Sequence, residues 1–303
     1  ENPMVLVRNF SEILGRLSFA GRAIDQLKPF LGPLFAWASA VPSGACLELP
    51  RAIKLILGFL ALGFGRGPLR IPSQPLFAGP AEEAFRADAK AEGLDVVVGG
   101  WECLGNTQCI NARWFSCKLD KKSAPWAFRH GEPFRQIAAL ELFTTLLCVL
   151  VFDLRSDGGS DKRLRICGAT DNFGNSAVVG KLMTTKFPLN VVLMELSEQL
   201  RVREVELLLD WVPREQNVEA DALTNGEFMA FDPARRIEVG PLGDKFILLN
   251  DMMETGALLY DSMDAAKAAA KVEGAFAPGS QSTVAGKPAF KRKRDGLRIS
   301  DPW

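Results

Sequence analysis

The chain has 303 residues, and its 36 lysine and arginine residues are balanced by 36 aspartate and glutamate residues. This zero net charge excludes a strongly basic coat protein for nucleic acid and an acidic solvating tail. The chain has one histidine, His130. Sites that need several histidines are therefore excluded, and carboxylate chemistry is favoured.

The cysteines and the apolar runs predict the cellular environment. The six cysteines form no CxxC pair and no secretion signal precedes them, which is typical of reduced intracellular thiols. The two most apolar runs, 52–65 and 137–152, are shorter than the ~20 residues that cross a bilayer. We therefore expect a soluble protein of the cytoplasm or nucleus, neither secreted nor membrane-bound. The first residue, Glu1, suggests a piece of a longer polyprotein.

The first elements in chain order are helical. Apolar residues recur at helical spacing from residue 10 onward, and Pro29 and Pro33 are expected to end that helix. A second helix is predicted over 52–62, where glycines follow it. Four prolines between 66 and 80 predict a linker. Residues 1–65 are thus expected to form a small helical segment.

The next 148 residues, 81–228, show a different pattern, in which short β-branched or aromatic stretches alternate with helical ones. The predicted order is three antiparallel strands, then helices alternating with two further strands. This order predicts an α/β domain with a mixed sheet. The predicted strands are 85–89, 96–101, 112–117, 164–170 and 205–212, and the predicted helices are 134–152, 176–183, 191–202 and 217–223.

The C-terminal part is less regular. Residues 229–277 are predicted to be an extension with a strand and an amphipathic helix within 245–259 and a second helix over 263–272. Residues 278–303 are rich in Gly, Ser and Pro and contain a basic run, so a disordered basic tail is expected there.

Four acidic residues lie at special positions in this pattern: Asp88 in the first strand of the sheet, Glu141 in the first helix after it, Asp171 after the fourth strand and Asp221 in the last helix. Clustered carboxylates repel each other unless cations neutralise them. All-oxygen sites prefer Mg²⁺ or Mn²⁺. Two such ions about 4 Å apart are the device for phosphodiester hydrolysis. Glu141 strengthens this prediction, because a charge inside an apolar helix is costly unless it is used or paired.

The sequence around these acids resembles a known family. The stretches 86–93, 137–142, 169–176 and 211–223 are similar to the four catalytic blocks of the ribonuclease H domains of retroelement reverse transcriptases, especially those of DIRS-like elements and of hepadnaviral or other pararetroviral polymerases. The resemblance implies a ribonuclease H-like mixed five-stranded sheet with flanking helices. It also implies that Asp88 bridges two metal ions, Glu141 and Asp171 complete one, and Asp221 holds the ion that activates water.

The flanking sequence extends the resemblance. Residues 14–37 are similar to the thumb or connection segment between polymerase palm and ribonuclease H domain. The chain has no Tyr-x-Asp-Asp polymerase signature, so no polymerase activity is expected and the missing polymerase portion is an expected partner. Many relatives carry a histidine shortly before the last aspartate, whereas residues 212–217 contain none.

The resemblance implies Mg²⁺-dependent cleavage of the RNA strand of RNA–DNA hybrids. Two alternatives stay open, namely an inactive nucleic-acid-binding or structural remnant, and a related DNA nuclease or recombinase. Aromatic and cationic residues alternate around the first three strands, as a groove for a phosphate backbone requires, although tryptophans in strands more often belong to the core. The expected substrate contacts are Trp101, Arg113, Arg129, Asn172 and Ser176.

Overall fold

The fold is built around one mixed β-sheet. A computed structural model describes residues 4–22, 24–65, 83–103, 107–129, 131–154, 164–240 and 243–276. The predicted linker at 66–80, His130 and the predicted tail at 278–303 lie outside these described residues.

The sheet has the strand order β5-β4-β3-β6-β7. The antiparallel meander joins β3 and β4 through a tight turn in which Gly93 has a positive φ of 58°, a conformation that glycine adopts without strain. β6 is parallel to β3, and β7 is parallel to β6. The strands are β3 (Glu83–Glu92), β4 (Asp95–Glu102), β5 (Trp114–Leu119), β6 (Leu164–Thr170) and β7 (Val205–Trp211).

Helices cover both faces of the sheet. Successive residues of β4 point to opposite faces, and Gly99 meets Leu223 of α7 (Val218–Asn225) whereas Gly100 meets Cys148 of α4 (Ile137–Val151). Two further helices, α5 (Phe173–Lys181) and α6 (Leu189–Val202), follow β6 and lead into β7. The predicted α/β class is confirmed: a mixed five-stranded sheet with flanking helices is preceded by a small helical segment.

The helical segment and the last helix pack on α6. Within this segment, the strand before α1 pairs antiparallel with the strand between α2 and α3. α2 lies against α6, and α8 lies against both α3 and α6. The elements are β1 (Met4–Leu6), α1 (Val7–Ala20), α2 (Lys28–Ala40), β2 (Cys46–Glu48), α3 (Arg51–Gly65) and α8 (Leu249–Phe276).

Two expectations for these helices were wrong. Pro29 and Pro33 do not end a helix, because α1 ends at Ala20 and both prolines lie inside α2. Pro29 occupies the first turn, where a backbone N–H has no helical partner, and the burial of Pro33 in the core offsets its missing hydrogen bond. The strand and two helices expected within 245–272 are instead the single helix α8, preceded by a short 3₁₀ turn.

α6 is buried on all sides, and its glutamate Glu195 binds the start of α8. The carboxylate of Glu195 accepts hydrogen bonds from the backbone amides of Ile247, Leu248 and Leu249 at 2.8–3.2 Å, and one from Gln199 at 2.5 Å. The first amides of a helix lack helical partners and carry partial positive charge, so a buried carboxylate satisfies them.

The helical stretch Pro133–Val151 is, within the described parts of the chain, the one that is long and apolar enough to span a membrane by length and composition alone. The sequence placed this apolar run at 137–152, but a 3₁₀ turn at Pro133–Gln136 lengthens it. Most of the stretch is buried inside the protein, where α4 packs on β3, β4 and α6.

The contact between α2 and the segment before α6 is a sharp test of this packing. A Cβ atom on Gly32 would lie 2.1 Å from the carbonyl oxygen of Thr184. We expect Gly32→Ala to lower the free energy of unfolding by about 1–3 kcal/mol, since the backbone must move to relieve this overlap. Urea denaturation measures the change.

Gly15→Ala in α1 is the matched control, because its Cβ would meet nothing within 4 Å. It should stabilise the helix by roughly 0.5–1 kcal/mol. If both variants unfold at the same urea concentration, α2 does not pack as closely as described.

Candidate active site

The topology brings the four predicted acids to one edge of the sheet. The parallel register pairs Arg86 of β3 with Ala169 of β6, so Asp88 and Asp171 lie level, each two residues further along. α7, which carries Asp221 in its first turn, packs on β3 and β4. Glu141 lies in the first half of α4, which packs on β3 from the other face.

Asp88 is the most enclosed of these acids, with 6% of its surface exposed. The hydroxyl of Thr224 donates a hydrogen bond to Asp88 Oδ2 at 2.8 Å. Burial raises the pKa of Asp88, the Thr224 bond lowers it, and the charges of Asp171 and Asp221 raise it further. Burial and the neighbouring acids therefore outweigh the Thr224 hydrogen bond and disfavour the charged form of Asp88.

The pKa of Glu141 is shifted further than those of Asp88 and Asp171. The pKa of Glu141 is raised from 4.5 to about 8, and burial is the largest cause. A hydrogen bond with the Asn172 side chain and the charge of Arg214 lower this pKa, whereas the charges of Asp171 and Asp88 raise it. Asn175 donates a 3.4 Å hydrogen bond to Glu141 Oε2 and a 2.9 Å bond to the Ala138 carbonyl. Ionised Glu141 thus lacks sufficient compensation from the protein.

Asp171 is half-buried at the end of β6. Burial raises the pKa of Asp171, the charge of Arg214 lowers it, and Asp221 raises it. The indole N–H of Trp211 donates to the Asp171 carbonyl oxygen at 3.0 Å, which ties the ends of β6 and β7 together. The following residue, Asn172, caps α5 by accepting a hydrogen bond from the Asn175 amide.

Arg214 is a cation whose charge acts on all four acids. Its Nη2 atom donates to Asp221 Oδ1 at 2.6 Å, and its charge interacts with those of Asp171, Asp88 and Glu141. Asn225 donates to the other carboxylate oxygen, Asp221 Oδ2, at 2.8 Å. Both oxygens of Asp221 are therefore bound by protein donors.

Sequence analysis missed the roles of Arg214, Thr224 and Asn225. The stretch 212–217 contains Arg214 and no histidine, but the sequence alone does not show that this arginine lies beside the acids. Thr224 and Asn225 are the last two residues of α7, and their residue types are common at helix ends, so they do not stand out in the sequence. Only the three-dimensional packing of α7 on β3 shows that they contact the acids.

The four acids fit a hard divalent cation by chemistry and electrostatics. Their donors are all oxygen, and the pKa values of three of them are raised mainly by burial, which a cation would counteract. However, over the described residues no three His, Cys, Asp or Glu side chains are grouped closely enough to hold one ion. The charges of the four acids act on one another, but their carboxylates do not form one coordination sphere.

The expected substrate contacts fall into two groups. Asn172 caps α5 and its side chain bonds to Glu141, whereas Ser176 lies in the first turn of that helix. The other three have contacts elsewhere: the buried ring of Trp101 packs on Phe231, Arg113 binds Glu102 and the Phe152 carbonyl, and Arg129 pairs with Asp261 of α8. Trp114 and Trp126, part of the same alternating pattern, are also buried.

No protein-family model and no curated protein sequence matches the chain. Among solved structures, the chain is similar to a ribonuclease H1 from the halophilic archaeon Halobacterium salinarum NRC-1, with 16% sequence identity and a TM-score of 0.33. This similarity covers 48% of the present chain and 95% of the archaeal one.

Proposed function

We propose that the chain is a ribonuclease H-type endonuclease that cleaves the RNA strand of RNA–DNA hybrids with the help of Mg²⁺ or Mn²⁺. The observation that supports this proposal is that Asp88, Glu141, Asp171 and Asp221 lie on neighbouring elements of the mixed sheet and that their charges act on one another. Burial raises the pKa of three of these acids, so the site favours protons or cations over bare charge.

The four carboxylates would hold two divalent ions, and these supply the charge that activates a water molecule and stabilises the leaving 3′ oxygen. The chain's own residues position the ligands. Thr224 fixes one oxygen of Asp88, Asn172 and Asn175 orient Glu141, and Asn225 orients Asp221. The products expected from the resemblance are a 3′-hydroxyl and a 5′-phosphate.

The resemblance of residues 14–37 supports a wider proposal, in which the chain is part of a retrotransposon reverse-transcriptase polyprotein that acts inside the cell. Residues 1–65 would be the remnant of its thumb or connection, and residues 81–228 its nuclease domain. The packing of α2 on α6 is consistent with a helical segment that stays attached to the nuclease. The absent polymerase portion would be its partner.

An inactive remnant that only binds nucleic acid is the second candidate, and the state of Asp221 favours it. Both of its carboxylate oxygens accept hydrogen bonds from the protein, one of them from the cationic Arg214. Because the guanidinium of Arg214 already compensates part of the negative charge of these acids, the arrangement can stay folded without a metal ion.

The discriminating experiment incubates the full chain with Mg²⁺ and an RNA–DNA hybrid labelled on each strand in turn. Cleavage of the RNA strand alone supports the proposed function. Binding without cleavage supports the remnant, and cleavage of duplex DNA indicates a DNA nuclease on the same fold. Either of these last two results overturns the proposal.

Arg214 provides a test of metal binding that does not depend on activity. We expect Arg214→Gln to bind Mn²⁺ more tightly in the absence of nucleic acid, by up to roughly fivefold, because the metal no longer has to displace an exposed ion pair. Titration calorimetry measures the affinity. Arg113→Gln, which removes a guanidinium paired with Glu102, is the control and should bind Mn²⁺ like the wild type. An unchanged or weaker affinity in Arg214→Gln would contradict the arrangement.

A further inference from the structure

Two exposed aromatic rings lie beside Asp171, one of the four acids of the candidate active site (the acid cluster: Asp88, Glu141, Asp171 and Asp221). Phe173 is 71% exposed and Trp211 is 48% exposed. Their ring centroids are 6.2 Å apart, and the ring planes are nearly perpendicular at 85°. Together they form an aromatic corner on the surface, which we call the Phe173–Trp211 corner.

The backbone fixes this corner to the candidate active site. Trp211 is the last residue of β7, and its indole N–H donates to the carbonyl oxygen of Asp171. Phe173 begins α5, two residues after Asp171, and the side chain of Asn172 caps that helix. Both rings are therefore anchored within two residues or one hydrogen bond of a proposed metal ligand.

The exposure of Trp211 is unusual in this protein. Four other tryptophans of the described segments are buried in the core: Trp37, Trp101, Trp114 and Trp126. Single exposed apolar residues are ordinary, whereas Phe173 and Trp211 are two exposed rings in contact with each other. The sequence pattern suggested Trp101 as an aromatic contact, whereas the structure exposes Trp211 and Phe173 instead.

We propose that the Phe173–Trp211 corner is a stacking subsite for one unpaired base of the substrate nucleic acid, next to the position where the strand is cut. The proposal rests on the proposed function. The indole N–H of Trp211 already binds the Asp171 carbonyl, so the two rings offer aromatic faces but no free donor for a phosphate, whereas a neutral base can stack on them. A base inside a duplex already has both faces covered by its neighbours. The subsite therefore selects a base in a single-stranded extension or a frayed end.

Stacking of this kind is tolerant of sequence, because every base has a π-face. The perpendicular planes allow a base to lie flat on one ring while its edge contacts the other. The expected consequence is that hybrids with a short single-stranded RNA extension bind more tightly than blunt hybrids.

The test measures binding of these two hybrids, blunt and extended, in the presence of Ca²⁺. We expect the wild type to prefer the extended hybrid by roughly fivefold or more, and Phe173→Ala and Trp211→Ala to lose this preference. Trp211→Phe keeps an aromatic face and should retain most of it. The wild type should also show a change in tryptophan emission on binding the extended hybrid, and this change should be absent in Trp211→Phe.

Phe19→Ala is the matched control. Phe19 is 73% exposed on α1, where it contacts Arg22 rather than the acids, so its removal should leave the preference intact. The proposal is overturned if Phe173→Ala and Trp211→Ala keep the wild-type preference, or if they weaken binding to both hybrids equally. Cleavage in Mg²⁺ without any preference would refute the subsite alone. A preference without cleavage would refute the nuclease alone.

Discussion

Replacing Asp88 by asparagine is expected to abolish hybrid cleavage, with a loss of at least about a hundredfold in rate, since the lost metal contact is worth several kcal/mol. Asp88 is buried among three other acids, and asparagine removes its charge while keeping its size. The hydroxyl of Thr224 can still donate to the amide oxygen of the variant. Folding should therefore be preserved, and the melting temperature should be equal to or above that of the wild type.

The control for this variant is Asp210→Asn, the same substitution on another strand of the same sheet. Asp210 lies on β7 beside Trp211, and its carboxylate contacts the thiol of Cys167 rather than the acid cluster. Its cleavage rate should match the wild type in the same gel assay with a labelled hybrid. Undiminished cleavage by Asp88→Asn would remove the basis for the proposed mechanism.

The second large effect concerns Glu141 and pH. The pKa of Glu141 is raised from 4.5 to about 8 in the folded protein, mainly by burial. Between these values the folded state holds a proton that the unfolded state releases, so the stability of the metal-free protein falls as pH rises from about 5 to about 8. Glu141→Gln cannot ionise, and we expect it to stabilise the metal-free protein at pH 8 by about 1–4 kcal/mol.

Thermal unfolding in EDTA, followed from acid to alkaline pH, measures this effect. Glu141→Gln should show a shallower decline than the wild type, with a remainder due to Asp88 and Asp171, whose pKa values are also raised. Adding Mg²⁺ should stabilise the wild type more at alkaline than at acid pH. The exposed Glu12→Gln serves as the control and should keep the wild-type decline. Identical declines in Glu141→Gln and the wild type would show that Glu141 is not buried as an acid.

The fold class was predictable because its signals, the helix and strand patterns along the chain, are local. Asp171 follows a short stretch that the sequence predicts as a strand, and Asp88 lies in the strand that pairs with it in parallel. Knowing the order of strands is then enough to place both acids at one edge. Their catalytic role stays a prediction.

The features that sequence missed depend on distant parts of the chain. Trp114 is buried because Phe228 and Phe231 pack on its ring, and its indole N–H donates to the Asp232 carbonyl, more than a hundred residues away. A strand pattern cannot show that such a cover exists. Pro33 likewise lies within a helix only because the core around α2 offsets its missing hydrogen bond.

The hydrogen bonds of Glu195 limit where this protein can be shortened. Its buried carboxylate is satisfied by the first amides of α8, so a fragment that ends before residue 247 leaves a charge in the core with Gln199 as its remaining described donor. Because Glu195 lies on α6, we expect α6 and the start of α8 to unfold together. A shortened, folded form of this chain therefore has to retain α8, although none of the four acids lies on that helix.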